Sequence, residues 1–175
     1  MKKITTFIIA AALLAALTIP AFAAAAPGGQ TSADSGFAGS TLTKEERQQL
    51  AAQLRVVRQN HLEIKETSAT NAQLRISLRT RIKELKESGE SLPDETAAQL
   101  KKLQAQLQAL RTEAGETLGD VRALSLAFRS CRLNDDFDGM TENLDTIVST
   151  QASRIDVMGQ MNTVLDEMNT LLSGN

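Results

Sequence analysis

The 175-residue chain contains no tryptophan, no tyrosine, one cysteine, one histidine and three prolines. Its only aromatic side chains for base stacking are five phenylalanines, and it has no excess of basic residues, so we expect no nucleic-acid partner. A single cysteine cannot form an internal disulfide framework. We therefore expect the stability of the fold to come from helix packing.

The first 26 residues have the pattern of an export signal. Lys2 and Lys3 precede an apolar run over 4–19, Pro20 ends that run, and Ala-Phe-Ala follows at 21–23. This pattern predicts a signal peptide over 1–26, with cleavage near 23–26 and an extracytoplasmic location: periplasmic, cell-wall-associated or secreted. No stable membrane span would remain after cleavage. The alternative is an uncleaved anchor, because about 20 apolar residues can span a bilayer.

Cleavage also changes the charge balance. Losing Lys2 and Lys3 leaves 17 basic residues against 21 acidic ones, a net charge of −4. The next segment, 27–42, is rich in glycine and serine and predicts a disordered tether. Order is expected from Thr43, because Thr43 and Glu46 stand at the spacing of a helix capping box.

Beyond the tether, apolar residues recur at alternating three- and four-residue steps. The pattern covers 43–88, 93–133 and 136–173 and is interrupted around Gly89 and Asn134. It predicts an all-α fold, an elongated antiparallel three-helix coiled-coil bundle over 43–175. At 1.5 Å of rise per residue, the bundle would be roughly 60 to 70 Å long.

The three apolar seams become polar near their centres. Folding the chain at its two links brings these positions to one level, a polar belt of Ser68, Asn71, Arg75, Gly115, Gln151 and Arg154. One interpretation is structural, with buried polar residues fixing the helix register and Arg154 paired to a glutamate. The other is a binding waist, a weak point where the bundle opens toward a partner. The candidate partners of Arg154 are Glu66, Glu113 and Glu116.

The acidic segment 134–145 resembles the calcium loops of EF-hand and dockerin proteins. Those loops have oxygen ligands at positions 1, 3, 5 and 12 and glycine at position 6, and this segment has Gly139 at position 6. It departs from the pattern with asparagine at position 1 and aspartate at position 12. The competing interpretation is a helix beginning near residue 136, with its positive end stabilised by the acidic residues. The calcium ligands that the resemblance implies are Asn134, Asp136, Asp138 and Asp145.

The only obvious candidates for nucleophilic catalysis are the Cys131 thiol and the His61 imidazole, which would have to act as a pair. The predicted bundle separates them by about ten residues, on the order of 15 Å, which is too far for a catalytic dyad. The sequence has no glycine-rich phosphate loop and no paired metal-ligand spacing. We therefore expect no enzymatic activity and no cofactor. Cys131 is expected to be a buried, inert thiol, or, if exposed, to link two chains through a disulfide.

Residues 42–46, Leu-Thr-Lys-Glu-Glu, resemble the LTxxQ motif of the Spy and CpxP family of small periplasmic helical chaperones, with Glu46 in place of glutamine. Leu92 begins a degraded second copy. This resemblance implies binding of unfolded proteins. The layout of leader, tether, long helices and acidic turn also resembles uncharacterised exported helical proteins of Gram-positive bacteria, which implies no particular function.

Together these observations predict an exported, non-enzymatic interaction or structural protein of the cell envelope or extracellular space. Its expected partner is another protein, the envelope or a second copy of the chain. The alternatives are a chaperone of the Spy and CpxP kind and a calcium-responsive module acting through 134–145.

Overall fold

The computed structural model describes residues 41–174, and these residues form three α-helices and no strand. Helix α1 spans Lys44–Ser88, α2 spans Asp94–Leu133 and α3 spans Phe137–Ser173. The described chain is therefore all-α, as the apolar periodicity predicts, and each helix begins and ends within one residue of its predicted bounds. The predicted signal peptide and residues 27–40 of the predicted tether lie outside the described residues.

Helix α1 begins with the predicted capping box. The Thr43 hydroxyl accepts a hydrogen bond from the Glu46 amide at 3.2 Å, and the Glu46 carboxylate accepts one from the Thr43 amide at 2.7 Å. The helix ends before Gly89, whose φ of 69° lies in the left-handed region. Glycine adopts this conformation without the steric cost that a side chain brings, so it suits the residue after a helix.

The predicted tether extends too far at its carboxyl end. Leu42 was assigned to it, yet its side chain is only 7 % exposed and packs in a core with Leu50 and Met140. The amide and hydroxyl of Thr41 donate to the Asp135 carboxylate at 3.1 and 3.0 Å. Ordered packing therefore starts before the first helix, because burying Leu42 removes apolar surface from water.

Contacts divide the chain into two compact units. The first contains Glu66–Glu113 together with α3 from Val157 onward, and the second contains the described chain up to Lys65 together with Ala114–Asp156. Each unit includes a stretch of all three helices, and each has its own apolar core.

In the first unit, α3 is packed against both other helices. The Asn169 side chain donates to the Leu74 carbonyl at 3.1 Å and so joins α3 to α1. Each fully buried leucine contributes on the order of 2 kcal/mol through removal from water. The core consists of Leu78, Ile82, Leu100, Leu103, Leu107, Val164, Leu165, Met168 and Leu172.

The core of the second unit is more deeply buried on α3 than on α2. Its buried members are Leu42, Leu50, Met140, Leu144 and Ile147. The contributions of α2 are partly exposed side chains, Val121, Leu124, Phe128 and Cys131. This half of α2 consequently leaves more of its apolar surface accessible to solvent.

The predicted apolar seams differ from the buried positions in two ways. Ser68 was assigned to the seam of α1 but is exposed. Val157 and Val164 were not assigned, yet they are 2 % and 8 % exposed. Each valine lies one residue before a position of the predicted α3 seam, Met158 or Leu165. Because α3 contacts α1 as well as α2, its apolar face is wider than a single seam.

Candidate functional site

The turn between α2 and α3 is built on two aspartates. The Asp136 amide donates to the Cys131 carbonyl at 3.0 Å, and the Asp135 amide donates to the Arg132 carbonyl at 3.4 Å. These are the two bonds of a Schellman motif, which satisfies the last carbonyls of a helix. Asp135 has a φ of 52°, a conformation that aspartate tolerates better than most residues.

Asp136 also caps the next helix. Its carboxylate accepts from the Gly139 amide at 3.0 Å, and its carbonyl accepts from the Met140 amide at 3.0 Å. Asp136 therefore takes part in both the C-terminal cap of α2 and the N-terminal cap of α3. Its negative charge lies at the positive end of the α3 dipole.

The four predicted calcium ligands are not brought together. Asp138 and Asp145 both lie on α3, seven residues and about 10 Å apart along the axis, whereas calcium ligands lie within about 2.6 Å of the ion. Asp145 instead accepts from the Gln53 side chain at 2.6 Å, and the Asn134 side chain donates to the Ser130 carbonyl at 3.0 Å. Within 41–174 no three acidic, histidine or cysteine side chains are grouped to hold a metal. The calcium-loop interpretation is replaced by the helix-capping one.

Cys131 lies against this turn, half-buried at the edge of the second core. The Asn143 side chain donates to its Sγ at 3.6 Å. Partial burial raises the pKa of the Cys131 thiol, and the neighbouring Asp136 carboxylate raises it further. A thiol in this setting is a poor nucleophile at neutral pH, because little of it is thiolate.

His61 is half-buried on α1, between the core positions Val57 and Ile64. Burial lowers its pKa, and the nearby Lys65 lowers it further. The polar neighbours of Cys131 are Asp136 and Asn143, so the structure does not place His61 as a base for the thiol.

Arg154, in the second unit, is the most deeply buried charge of the predicted belt, at 8 % exposed. Its Nη1 donates to the Ala114 carbonyl and to the Thr117 hydroxyl, the latter at 3.3 Å. The predicted glutamate partner is wrong, since no carboxylate within 41–174 forms an ion pair with Arg154. Burial accordingly lowers the pKa of the Arg154 guanidinium.

The other belt residues of the second unit are Gln151 and Gly115. Gln151 is 5 % exposed, and its Oε1 has no hydrogen-bond partner. Gly115 has open space where a side chain would begin, with no atom within 4 Å apart from its chain neighbours and the nearby backbone of its own helix. This part of α2 therefore does not pack tightly at Gly115.

The remaining three belt residues belong to the first unit. Asn71 is buried and donates to the Met158 carbonyl at 3.1 Å, with its own Oδ1 unpartnered. Arg75 is half-buried, and burial lowers its pKa with a smaller contribution from Arg79. Ser68 is exposed. The residues predicted to form one belt are thus divided between the units, three in each.

The first unit also has an open groove of about 500 Å³ between α2 and α3. Lys102, Asp166 and Glu167 line it together with Leu103 and Leu171. Small-molecule sites usually enclose most of their ligand, and this groove is too open to do so.

A surface that the sequence analysis missed lies on α2 of the second unit. Arg122, Leu126, Arg129 and Leu133 follow one another at steps of four, three and four residues, so they share one face of the helix. We call this face the α2 stripe. Leu126 is 60 % exposed and Leu133 is 85 % exposed. A search for a second set of helical spacings outside the core seam would have found it.

The arginines of the α2 stripe are available to a partner. Arg122 and Arg129 are exposed, and neither forms an ion pair with any residue of the described chain. Leu126 lies nine residues after Thr117, half a turn further round the helix. Since Thr117 contacts Arg154 of α3, the α2 stripe points away from α3.

Comparison with protein-family models, curated proteins and solved structures gives no match for this chain. None of the helices within 41–174 has an apolar stretch long enough to cross a bilayer.

Proposed function

We propose that this chain is an exported, non-enzymatic helical protein that acts in the cell envelope or extracellular space by binding a partner through its outer helical faces. The observation that carries this proposal is the α2 stripe. Two large exposed leucines alternate there with two unpaired arginines, whereas no large apolar side chain is exposed on the described part of α3.

Exposed leucines next to unpaired arginines offer a partner both apolar and charged contacts. Burying Leu126 and Leu133 against a partner would remove apolar surface from water, and the two arginines would supply charge-assisted contacts. The core of the second unit would hold the surface in place, because Val121, Leu124 and Phe128 of the same stretch of α2 pack against it.

Export is tested separately from binding. Residues 1–40 are fused to a reporter enzyme that is active only outside the cytoplasm, and activity is compared with a fusion in which Lys2 and Lys3 are changed to glutamate. Activity that depends on the two lysines is expected. Equal, background activity from both fusions would contradict the proposed location.

Binding is tested in cells by photo-crosslinking. A photoreactive amino acid is placed at Leu126 and, as a matched control, at the exposed Ser153 of α3. A crosslinked product is expected at Leu126 and not at Ser153. The absence of any product from Leu126 and Leu133 would remove the basis of the proposal.

The same exposed leucines favour a second candidate, the binding of unfolded proteins. The methionines of α3 do not add to the exposed apolar surface, because Met140, Met158 and Met168 are buried and Met161 is partly buried. A chaperone of this kind would suppress the aggregation of a heat-denatured test protein, and Leu126→Ser would weaken the suppression more than Ile76→Ser. Equal suppression by the two variants would exclude the α2 stripe from this activity.

A further inference from the structure

The second unit carries a matching stripe on α1. Arg55, Arg58, Leu62 and Lys65 are spaced by three, four and three residues and are all exposed, Leu62 at 59 %. We call this face the α1 stripe. It carries three cations and one leucine, and the exposed Glu66, four residues after Leu62, follows it on the same helix face.

The α1 stripe also points away from α3. Gln53 and Asn60 of α1 both reach α3, through bonds to the Asp145 carboxylate at 2.6 Å and the Val148 carbonyl at 3.4 Å. Arg55 and Leu62 each lie two residues further along α1, about 200° round the helix. The two stripes therefore both face away from α3 in this unit.

The two stripes and α3 of the second unit differ in charge, and exposed acidic residues of α1 and α2, among them Glu63, Glu116 and Asp120, lie outside the stripes. The two stripes together carry five cations and three large exposed leucines. The part of α3 in this unit has exposed acidic side chains at Asp138, Glu142, Asp145 and Asp156, and its one cation, Arg154, is buried. The two stripes are thus basic and apolar, and the exposed charged side chains of α3 in this unit are acidic.

We propose that the α1 and α2 stripes of the second unit bind an anionic lipid surface, with the acidic side of α3 turned toward water. This inference rests on the proposed function and specifies the partner. Arginine and lysine would contact lipid phosphates, and the leucines would enter the headgroup region. The unit would lie on the membrane rather than span it.

The spacing of the leucines favours a lipid surface over a protein partner. Leu126 and Leu133 are about 10 Å apart along α2, with Arg129 between them. Protein interfaces concentrate their binding energy in a central, well-packed apolar cluster, which these separated leucines do not form. A bilayer surface is planar and laterally uniform, so it accepts leucines and arginines in alternation.

The test is co-sedimentation with lipid vesicles. The chain starting at Pro27 is used, because it retains every residue of both cores, and its fold is checked by circular dichroism. Vesicles of phosphatidylcholine alone are compared with vesicles containing phosphatidylglycerol. We expect binding to the anionic vesicles only, weakened by added salt because the attraction is electrostatic.

Two matched pairs of variants locate the surface. Arg122→Gln with Arg129→Gln is expected to lower the vesicle partition coefficient by about thirtyfold, whereas Lys101→Gln with Lys102→Gln, two exposed cations elsewhere on α2, should leave it nearly unchanged. Leu126→Ser should weaken binding more than Ile76→Ser, two residues of nearly equal exposure, 60 % and 62 %.

Absence of binding to anionic vesicles, or equal losses in the two arginine and lysine pairs, would overturn the lipid inference. Its failure is distinct from failure of the proposed function. If vesicle binding is absent but Leu126 still crosslinks to a protein in cells, the partner is a protein and only the lipid inference is wrong.

Discussion

Arg154 of α3 donates a hydrogen bond to the main-chain carbonyl oxygen of Ala114 in α2, where the sequence analysis expected a carboxylate. The same carbonyl accepts from the Thr117 hydroxyl at 3.0 Å, so it keeps a side-chain donor without the arginine. A carbonyl satisfies a guanidinium hydrogen but does not neutralise its charge. Burial of this cation without an anion therefore opposes folding.

Replacing Arg154 by methionine should consequently stabilise the protein. Methionine keeps much of the apolar side-chain volume and removes the buried charge, so we expect the free energy of unfolding to rise by about 1 kcal/mol. Urea unfolding followed by circular dichroism measures the change. Arg122→Met, at an exposed position, is the control and should stay within about 0.5 kcal/mol of the parent chain. A lower stability of the Arg154→Met variant would show that the arginine contacts outweigh the cost of its charge.

Gly139 and Gly159, both on α3, should respond oppositely to alanine. A Cβ at Gly139 would lie 2.7 Å from the Cys131 Sγ and would also collide with the Asp136 carboxylate. A Cβ at Gly159 would meet nothing within 4 Å apart from its chain neighbours and the nearby backbone of its own helix. We expect Gly159→Ala to stabilise the chain by about 0.5 to 1 kcal/mol through helix propensity.

Gly139→Ala should destabilise it, because the helix cap at Asp136 and the Cys131 side chain would have to move. Thermal unfolding of both variants provides the comparison. A rise in melting temperature for both would mean that the α2–α3 turn has room that its contacts do not indicate.

The environment of Cys131 predicts slow modification by thiol reagents. Its pKa is raised by partial burial and by the Asp136 carboxylate, so the thiolate fraction at pH 8 is below that of a free cysteine. Asp136→Asn removes the charge yet retains a good helix-capping residue. We expect this variant to react faster, with the midpoint of its pH–rate profile shifted to lower pH. An unchanged profile would show that Asp136 does not control the thiol.

The sequence predicted the helices closely because their signals are local. The Thr43 and Glu46 capping box, Gly89 and the apolar periodicity are all properties of neighbouring residues. Leu42 was misplaced for a different reason. A single leucine after a glycine- and serine-rich segment has no periodic context, and only the approach of α3 shows that it is buried.

Polar positions were harder to predict than apolar ones. The periodicity placed Arg154 and Asn71 in the interior, which is correct, but it could not identify their partners. Both residues bond to main-chain carbonyls, and every residue offers such a carbonyl, so the sequence does not single one out. The α2 stripe was not predicted because its residues lie outside the core seam. Its exposure becomes evident once the structure shows which face of α2 is packed.

Calcium should leave the stability of this protein unchanged. The predicted loop ligands lie on a helix cap and along α3, too far apart to bind one ion. We expect the same melting temperature in a chelator and in millimolar calcium, followed by circular dichroism, for the parent chain and for Asp138→Asn. A rise of several degrees in calcium, lost in the variant, would show that residues 134–145 rearrange into a metal-binding loop.

His61 should make the stability depend on pH near neutrality. Its pKa in the folded chain is lowered from the ordinary value of 6.5, first by burial and then by Lys65. Below pH 6.5 the unfolded chain therefore binds a proton more readily than the folded chain, and protonation favours unfolding. The free energy of unfolding should fall as the pH drops from 7.5 through 6.5, and His61→Gln should lose this component.

Because carboxylates titrate in both proteins, the informative quantity is the difference between the two stability curves, measured by urea unfolding at each pH. The stability of the parent chain relative to the variant should decrease toward low pH. Parallel curves would mean that His61 is as easily protonated in the folded chain as in the unfolded one, and that its partial burial on α1 does not disfavour the charged form.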